Sequence, residues 1–321
     1  DISYRNKRSV LLDLKSSRRV EIRFRLLEDA DGLIEGFRPG VVERLNICPE
    51  PCLAHNTRLV YGRVTGWGQD GPLSQAPGHD LNYISLAGAL HAIGRDGEPP
   101  VVPLNLVGDM GGGGMLLAFG MVCALLESKS SGKGQVVDAA MIDGAASQMW
   151  MLHSMAAAGV WDATRRGANL LDGGAPFAQT YQTRDHKFMA VCAIENRFYR
   201  ALLEGLGLED VDPSQQHDAT GWPDLKQRFA TTFRTKTRDE WCQVFADSDA
   251  CVAPVLSPKE APAHPHHMAR GSYETVDGIT QPGPAPRFSR TPSKIQCPPT
   301  EAGGANNEAL RDWGLARSEI K

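Results

Sequence analysis

Segments with strand character alternate with segments of helical spacing through the first half of this chain. Residues 9–14 form an apolar run that predicts a buried strand, and Val20, Phe24 and Leu27 follow it at helical spacing. Further strands are predicted at residues 32–35, 59–65 and 135–139, and further helices at residues 81–90, 115–127 and 142–158. Such alternation is typical of a parallel sheet covered by helices on both faces, so the fold class is α/β.

The pattern changes after residue 175. Residues 180–183 and 188–194 flank a short polar turn, which predicts a β-hairpin. A helix is predicted at residues 196–206, and a capping box begins at Thr237. We therefore predict a large α/β domain over residues 1–175, a smaller α+β domain over residues 176–285 and a C-terminal segment over residues 286–321.

Composition excludes several classes of protein. The chain has 321 residues, enough for two domains with a core, and its net charge of −4 argues against nucleic-acid binding. The longest apolar run, residues 110–126, is shorter than the ~20 residues that span a bilayer, so we predict a buried helix and no membrane insertion. Seven dispersed cysteines indicate reduced thiols in a cytoplasmic protein.

Two acid/base side chains stand beside glycine. His79 follows Gly78, and Asp109 follows Gly108 and precedes the glycines of residues 111–114. Glycine allows backbone to approach a ligand closely, and loops commonly carry catalytic residues. A histidine and an aspartate can hold one proton between them near neutral pH, since their reference pKa values are about 6.5 and about 3.9. Together they could remove a proton from one face of a carbon and return one to the other face.

The same stretches resemble the α-methylacyl-CoA racemases of the family III CoA-transferase superfamily. The resemblance lies in residues 78–83, 107–109 and 192–195, and continues upstream in residues 12–15, 35–40 and 65–72. It implies a Rossmann-like parallel-sheet large domain and an interlocked homodimer. It also implies that roughly one βα unit, carrying part of the CoA-binding surface, precedes residue 1.

The resemblance implies roles for individual residues. His79 and Asp109 would be the two catalytic bases, and Glu195 would orient the histidine, although a carboxylate at a helix start is also a common structural feature. The residues implied to bind the CoA ester are Lys15, Gly36, Phe37, Arg38, Arg44, Gly78, Asp80, Asn82 and Tyr83. Arginine contacts with phosphate are strong, and Arg38 lies in the most specific motif of the three basic residues.

Other motifs have two interpretations. The glycines at 111–114 would let a thioester lie close to Asp109, or would serve tight helix packing. Met149, Met151 and Met155 with Trp150 suit a core or dimer interface at least as well as an acyl-tail surface. His264, His266 and His267 have no matching ligands nearby in sequence, so no metal site is expected.

The implied reaction is racemisation of 2-methylacyl-CoA thioesters by 1,1-proton transfer, with no cofactor because CoA is part of the substrate. One alternative is a CoA-transferase of the same superfamily that uses Asp109 as a nucleophile. The other is a truncated acyl-CoA-binding protein without turnover. The chain also departs from the racemase pattern at Ala178, where tyrosine is common, and at His186, where the hairpin usually has glycine.

Overall fold

The computed structural model describes residues 1–14 and 17–315. These residues form two compact units. The first comprises Asp1–Ala30, Leu45–Asn56 and the described residues from Leu256 onward, and the second comprises Asp31–Arg44 and Thr57–Val255. These two units differ from the three segments predicted from the sequence. The bounds of those segments remain predictions.

A three-stranded parallel sheet in the order β1-β2-β3 organises the first part of the second unit. Its strands are β1 (Gly32–Glu35), β2 (Val60–Thr65) and β3 (Gln135–Ala140). The helices of this part are α2 (Val41–Arg44), α4 (Asp80–Leu86), α5 (Ala89–Ala92), a π-helix (Leu106–Met115), α6 (Leu116–Ser131), α7 (Met141–Gln148) and α8 (Trp150–Ala157). The parallel register, with Leu33 opposite Tyr61 and Tyr61 opposite Val136, brings the carboxyl ends of the three strands to one edge.

The long helix α6 covers one face of this sheet. Leu117, Met121 and Ala124 are buried against Val60 of the central strand. Gly62 makes this contact close, because a Cβ at that position would lie 2.7 Å from the sulfur of Met121. Small residues on the strand therefore set the distance between helix and sheet.

The second sheet has the antiparallel order β4-β5-β6. It consists of β4 (Ala178–Gln182), β5 (Phe188–Cys192) and β6 (Val252–Pro254), and is accompanied by α9 (Asn196–Leu206), α10 (Trp222–Phe233) and α11 (Arg238–Val244). The predicted hairpin is confirmed, and His186 adopts φ +59° in its turn, which is the strain expected where a glycine is usual. The core between this sheet and its helices is rich in aromatic residues, and Tyr181 stacks on Phe233 with ring centroids 5.0 Å apart.

The first unit contains the remaining elements. These are α1 (Ser17–Glu28), α3 (Pro49–His55), α12 (Pro265–Arg270), the hairpin β7 (Tyr273–Val276) and β8 (Ile279–Pro282), and α13 (Asn306–Asp312). A cluster of Ile22, Leu310 and Leu315 forms its apolar centre. The side-chain amide of Asn56 donates to the carbonyls of Leu27 and Ala30 at 2.8 and 3.0 Å, which ties the end of α3 to the end of α1.

Two expectations about local structure are wrong. Residues 9–14 form no strand, because the N–H of Leu11 donates to the Asn306 side chain and the carbonyl of Ser9 accepts from Ala305. The apolar run of residues 110–126 is not a wholly buried helix. It lies within the continuous helical stretch Leu106–Ser131, which is long and apolar enough to cross a membrane by length and composition alone. Its outward face, including Phe119 and Leu126, is exposed.

Candidate active site

The loops that follow β1 and β2 enclose a cavity of about 200 Å³ at the carboxyl edge of the parallel sheet. This edge is where α/β sheets generally bind ligands. Of the predicted ligand-binding residues, the cavity is lined by Gly36, Phe37, Arg38, Gly78 and Tyr83. Drug-sized ligands typically occupy ~300–1,000 Å³, so the cavity would take only part of an acyl-CoA.

A buried ion-pair network supports the loop that carries Arg38. The guanidinium of Arg63 on β2 donates to Glu35 at 2.8 Å and to Glu43 at 2.9 Å. The second carboxylate oxygen of Glu35 accepts the N–H of Phe37 at 2.7 Å. Arg63 and Glu35 are both buried, so these bonds hold the loop after β1 in place from the protein interior. The Arg38 side chain on the same loop remains exposed.

Tyr83 forms one wall of the cavity. A Cβ at Gly66 would lie 2.0 Å from the Tyr83 ring, and one at Gly78 would lie 2.7 Å from it, so both glycines are required for this packing. The ring meets Trp67 edge-on at 4.8 Å. Burial raises the pKa of Tyr83, with Asp109 acting in the same sense and Arg38 opposing it, so the phenol stays protonated at neutral pH.

A single carboxylate joins the two predicted catalytic loops. His79 immediately precedes α4, and Asp80, the first residue of that helix, is buried. One oxygen of the Asp80 carboxylate accepts the N–H of Gly108 at 2.8 Å and that of Asp109 at 2.7 Å. The residue after His79 thereby holds the backbone of Asp109. No sequence pattern predicted this positioning role, and the ligand contact implied for Asp80 remains a prediction.

Asp109 lies in a π-helix, where the N–H of Met110 donates to the carbonyl of Asn105, five residues earlier, at 3.2 Å. Such widened turns are rare in proteins, but those that occur are often found at functional sites. The Asn105 side chain donates to the Asp109 carboxylate at 3.3 Å. Gly112 packs so tightly on α7 that a Cβ there would lie 2.8 Å from the backbone of Ala145. Helix packing therefore explains this buried glycine, rather than the approach of a substrate.

Three of the remaining predicted residues lie in the second unit. Glu195 is exposed at the start of α9, and no hydrogen bond joins it to His79 within the described residues. Asn82 accepts the backbone N–H of His79 at 3.1 Å, so it stabilises the start of α4. Arg44 is exposed at the end of α2. Lys15 lies outside the described residues.

Further residues line the cavity but were not predicted from the sequence as site residues. Thr65, Trp67 and Met141 line the cavity, and the indole N–H of Trp67 is buried without a partner in the described chain. The motif at residues 65–72 was the available signal, but spacing alone could not show that its aromatic ring lies against Gly78. Among the described residues, no group of three or more His, Cys, Asp and Glu side chains is arranged to hold a metal ion.

Comparison with known proteins identifies the family of this chain. Residues 2–306 match the sequence profile of CoA-transferase family III. The chain belongs to CoA-transferase family III. A CAIB/BAIF family protein from Brucella suis has the same fold, with a TM-score of 0.79 and 20% identity over 97% of this chain and 82% of that one. The predicted fold class of this family III chain is thereby confirmed.

Two relatives of this family III chain are named as racemases. The α-methylacyl-CoA racemase of Mus musculus is 47% identical over 98% of this chain and 83% of its own length. The α-methylacyl-CoA racemase of Homo sapiens is 44% identical over the same shares. The resemblance noted in the sequence is confirmed by this near-complete coverage.

Proposed function

We propose that the protein racemises 2-methylacyl-CoA thioesters by 1,1-proton transfer. The observation that carries the proposal is the Asp80 carboxylate, which ties the loop of Asp109 to the helix that His79 precedes. Identity of 47% and 44% to two α-methylacyl-CoA racemases supports the reaction class. The acyl-CoA substrate follows from the same relatives and from the family.

In this mechanism the thioester acidifies the α-carbon, and His79 or Asp109 removes its proton to give an enolate. The other residue delivers a proton to the opposite face. The enolate oxygen requires hydrogen-bond donors, and backbone N–H groups near Asp80 are the candidates because the first turn of a helix leaves them without partners. One such donor typically contributes about 10²–10³ in rate, and one placed acid or base about 10²–10⁴.

The direct test is exchange of the α-proton in deuterated water. We expect the bare protein to incorporate deuterium at the α-carbon of both enantiomers of a 2-methylacyl-CoA, without an acceptor acid. Mass spectrometry and NMR of the recovered thioester measure this incorporation. A folded protein that binds the thioester but exchanges no α-proton would contradict the proposal and favour the alternative of acyl-CoA binding without turnover.

In the alternative CoA-transferase mechanism, Asp109 would be a nucleophile and not a base. A transferase would use this carboxylate to attack the thioester carbonyl, releasing CoA and leaving an acyl anhydride on the protein. That mechanism needs an acceptor acid but no second base. The presence of His79, which directly follows the cavity residue Gly78, therefore favours racemisation. The proposal needs no cofactor beyond the CoA of the substrate.

Arg38 is predicted to bind CoA rather than take part in the chemical step. It is exposed, and it makes no ion pair within the described residues. We expect Arg38→Ala to raise KM about tenfold or more while kcat changes little, because Arg–phosphate bonds contribute uniformly to binding. Steady-state kinetics with an acyl-CoA checks this, with Arg95→Ala as the control arginine. An unchanged KM with a collapsed kcat would contradict the role.

We also propose a homodimer whose interface includes the outward face of α6. Met115, just before α6, and Phe119, Val122 and Leu126 on α6 follow one another at helical spacing, and all are more than 60% exposed. An exposed apolar surface of this kind usually binds another apolar surface. A bilayer is an unsuitable one, since the opposite face of α6 is packed on the sheet through Leu117, Met121 and Ala124. A second copy of the chain fits better.

Light scattering tests the dimer. The chain mass is 34.8 kDa, and we expect the native protein to have twice that mass. Phe119→Asp should shift it to the monomer, because a buried carboxylate without a partner is costly. Phe288→Asp, which alters an exposed phenylalanine outside α6, is the matched control. In the interlocked arrangement Glu195 would complete the site, so a fully active native monomer would rule that arrangement out.

A cytoplasmic location remains part of this proposal. All seven cysteines lie in the described part of the chain, and none forms a disulfide. Reduced thiols are usual in the cytosol, which supports the proposed compartment.

A further inference from the structure

Two exposed cysteines lie opposite each other on neighbouring strands of the second sheet. β5 and β6 are antiparallel, with Val191 opposite Val252. Continuing that register by one pair places Cys192 opposite Cys251, and the N–H of Cys192 donates to the carbonyl of Cys251 at 3.0 Å. Cys251 lies just before β6 and has a left-handed backbone with φ +52°, so the strand does not set its side-chain direction. The hydrogen bond keeps the two residues adjacent, and both side chains are exposed.

This arrangement suits a disulfide. Hydrogen-bonded partners on antiparallel strands have Cα atoms about 5.5 Å apart, and disulfides join Cα atoms that are roughly 4.4–6.8 Å apart. We propose that Cys192 and Cys251 form a dithiol modification site, which a hydroperoxide converts to an intramolecular disulfide. The site depends on the backbone contact between the two cysteines and does not require the proposed racemase activity.

The two thiols differ in their surroundings. Burial raises the pKa of the Cys251 thiol, with Glu195 and Cys192 acting in the same sense and Arg197 opposing them. Since the thiolate is the nucleophile, the raised pKa slows attack by Cys251, and we assign the first attack to Cys192. The Cys192 thiolate attacks the peroxide and becomes a sulfenic acid while an alcohol leaves. The Cys251 thiolate then attacks that sulfur and water leaves, so two thiols and one hydroperoxide give one disulfide, one alcohol and one water.

The site lies at the base of the turn that carries Glu195. Cys192 ends β5, and Glu195, three residues later, immediately precedes α9. The side chain of Gln216 donates to the carbonyls of Ala193 and Ile194 at 3.0 and 2.8 Å, so this turn is already held on one side. A disulfide would fix its other end to Cys251. We expect oxidation to change the position of Glu195, and this consequence rests on the proposed function.

A second cysteine pair provides an internal comparison. Cys48 and Cys52 are four residues apart at the start of α3, where side chains are also neighbours. Cys52 is fully buried, and burial raises its pKa to about 11. A thiol in that state is a poor nucleophile, so this pair should remain reduced under conditions that oxidise the exposed one.

Peptide mapping after limited treatment with hydrogen peroxide tests the site. We expect a Cys192–Cys251 cross-linked peptide that has lost two hydrogens, that reverts with dithiothreitol, and that is absent from Cys192→Ser and Cys251→Ser. Cys123→Ser, which removes a solitary exposed thiol, should still form it. Phenylarsine oxide, which bridges adjacent thiols, should protect both cysteines from alkylation together.

Two outcomes would overturn the proposal. One is full alkylation of both thiols after peroxide and arsenical treatment, and the other is a Cys48–Cys52 cross-link that is as frequent as the Cys192–Cys251 one. Measuring α-proton exchange separates the modification site from its proposed effect on Glu195. If the disulfide forms but α-proton exchange is the same in oxidised and reduced protein, the modification site stands and its link to Glu195 is wrong. If the protein exchanges no α-proton at all, the proposed function fails while the mapping result remains valid.

Discussion

His79→Ala should slow removal of the α-proton from one enantiomer of a 2-methylacyl-CoA about 10²–10⁴-fold, while exchange of the other enantiomer falls far less. Asp109→Ala should give the reverse preference. The physical reason is that the proposed mechanism places one base on each side of the α-carbon, so each base would abstract from only one configuration. The resemblance to the racemases implies that His79 would act on the S form and Asp109 on the R form. Deuterium incorporation into each pure enantiomer measures both rates.

The controls separate chemistry from folding. His91→Ala removes an exposed histidine from α5, outside the cavity, and should leave both exchange rates unchanged. Thermal unfolding of each variant checks that the fold survives. Equal losses for both enantiomers in His79→Ala would contradict two-base catalysis. Trapping of an acyl group on Asp109 by hydroxylamine, without deuterium at the α-carbon of either enantiomer, would establish the transferase mechanism instead.

Asp80→Ala should reduce exchange of both enantiomers, because it releases the loop that carries Asp109 from the helix that follows His79. Its carboxylate accepts two backbone N–H groups, from Gly108 and Asp109. Leaving such groups without partners costs about 1–3 kcal/mol each, and a misplacement of about 1 Å can lower a rate about 10²-fold. Exchange rates and the free energy of unfolding, from urea titration, are to be measured on the same sample.

Asp172→Ala is the matched control for this positioning role. The Asp172 carboxylate also accepts two backbone N–H groups, from Asn169 and Gly174, at 2.7 and 3.1 Å. Its loss should destabilise the protein to a similar degree without lowering exchange per folded molecule. Asp80→Asn, which keeps an acceptor in place, should recover part of the lost rate. Asp80→Ala with normal exchange in the folded protein would rule out the positioning role.

The sequence by itself determined the fold class and the stretches from which the site is built. Strand and helix patterns alternated clearly enough to indicate a parallel sheet, and the hairpin at residues 180–194 was predicted with its strained turn at His186. The capping box at Thr237 and the helix over residues 196–206 were also predicted correctly. These features are local, because each depends on residues a few positions apart.

Only the tertiary structure decided how distant stretches meet. Residues 9–14 have the composition of a strand, yet their hydrogen bonds go to the start of α13, almost 300 residues later. Gly112 is needed because α7 approaches it, and the apolar run of α6 is buried on one face only. The resemblance implied only a ligand contact for Asp80, whereas in the structure its carboxylate accepts the N–H groups of Gly108 and Asp109. The reason is common to all of them: composition records what a residue favours locally, whereas burial and hydrogen-bond partners depend on which segments the chain brings together.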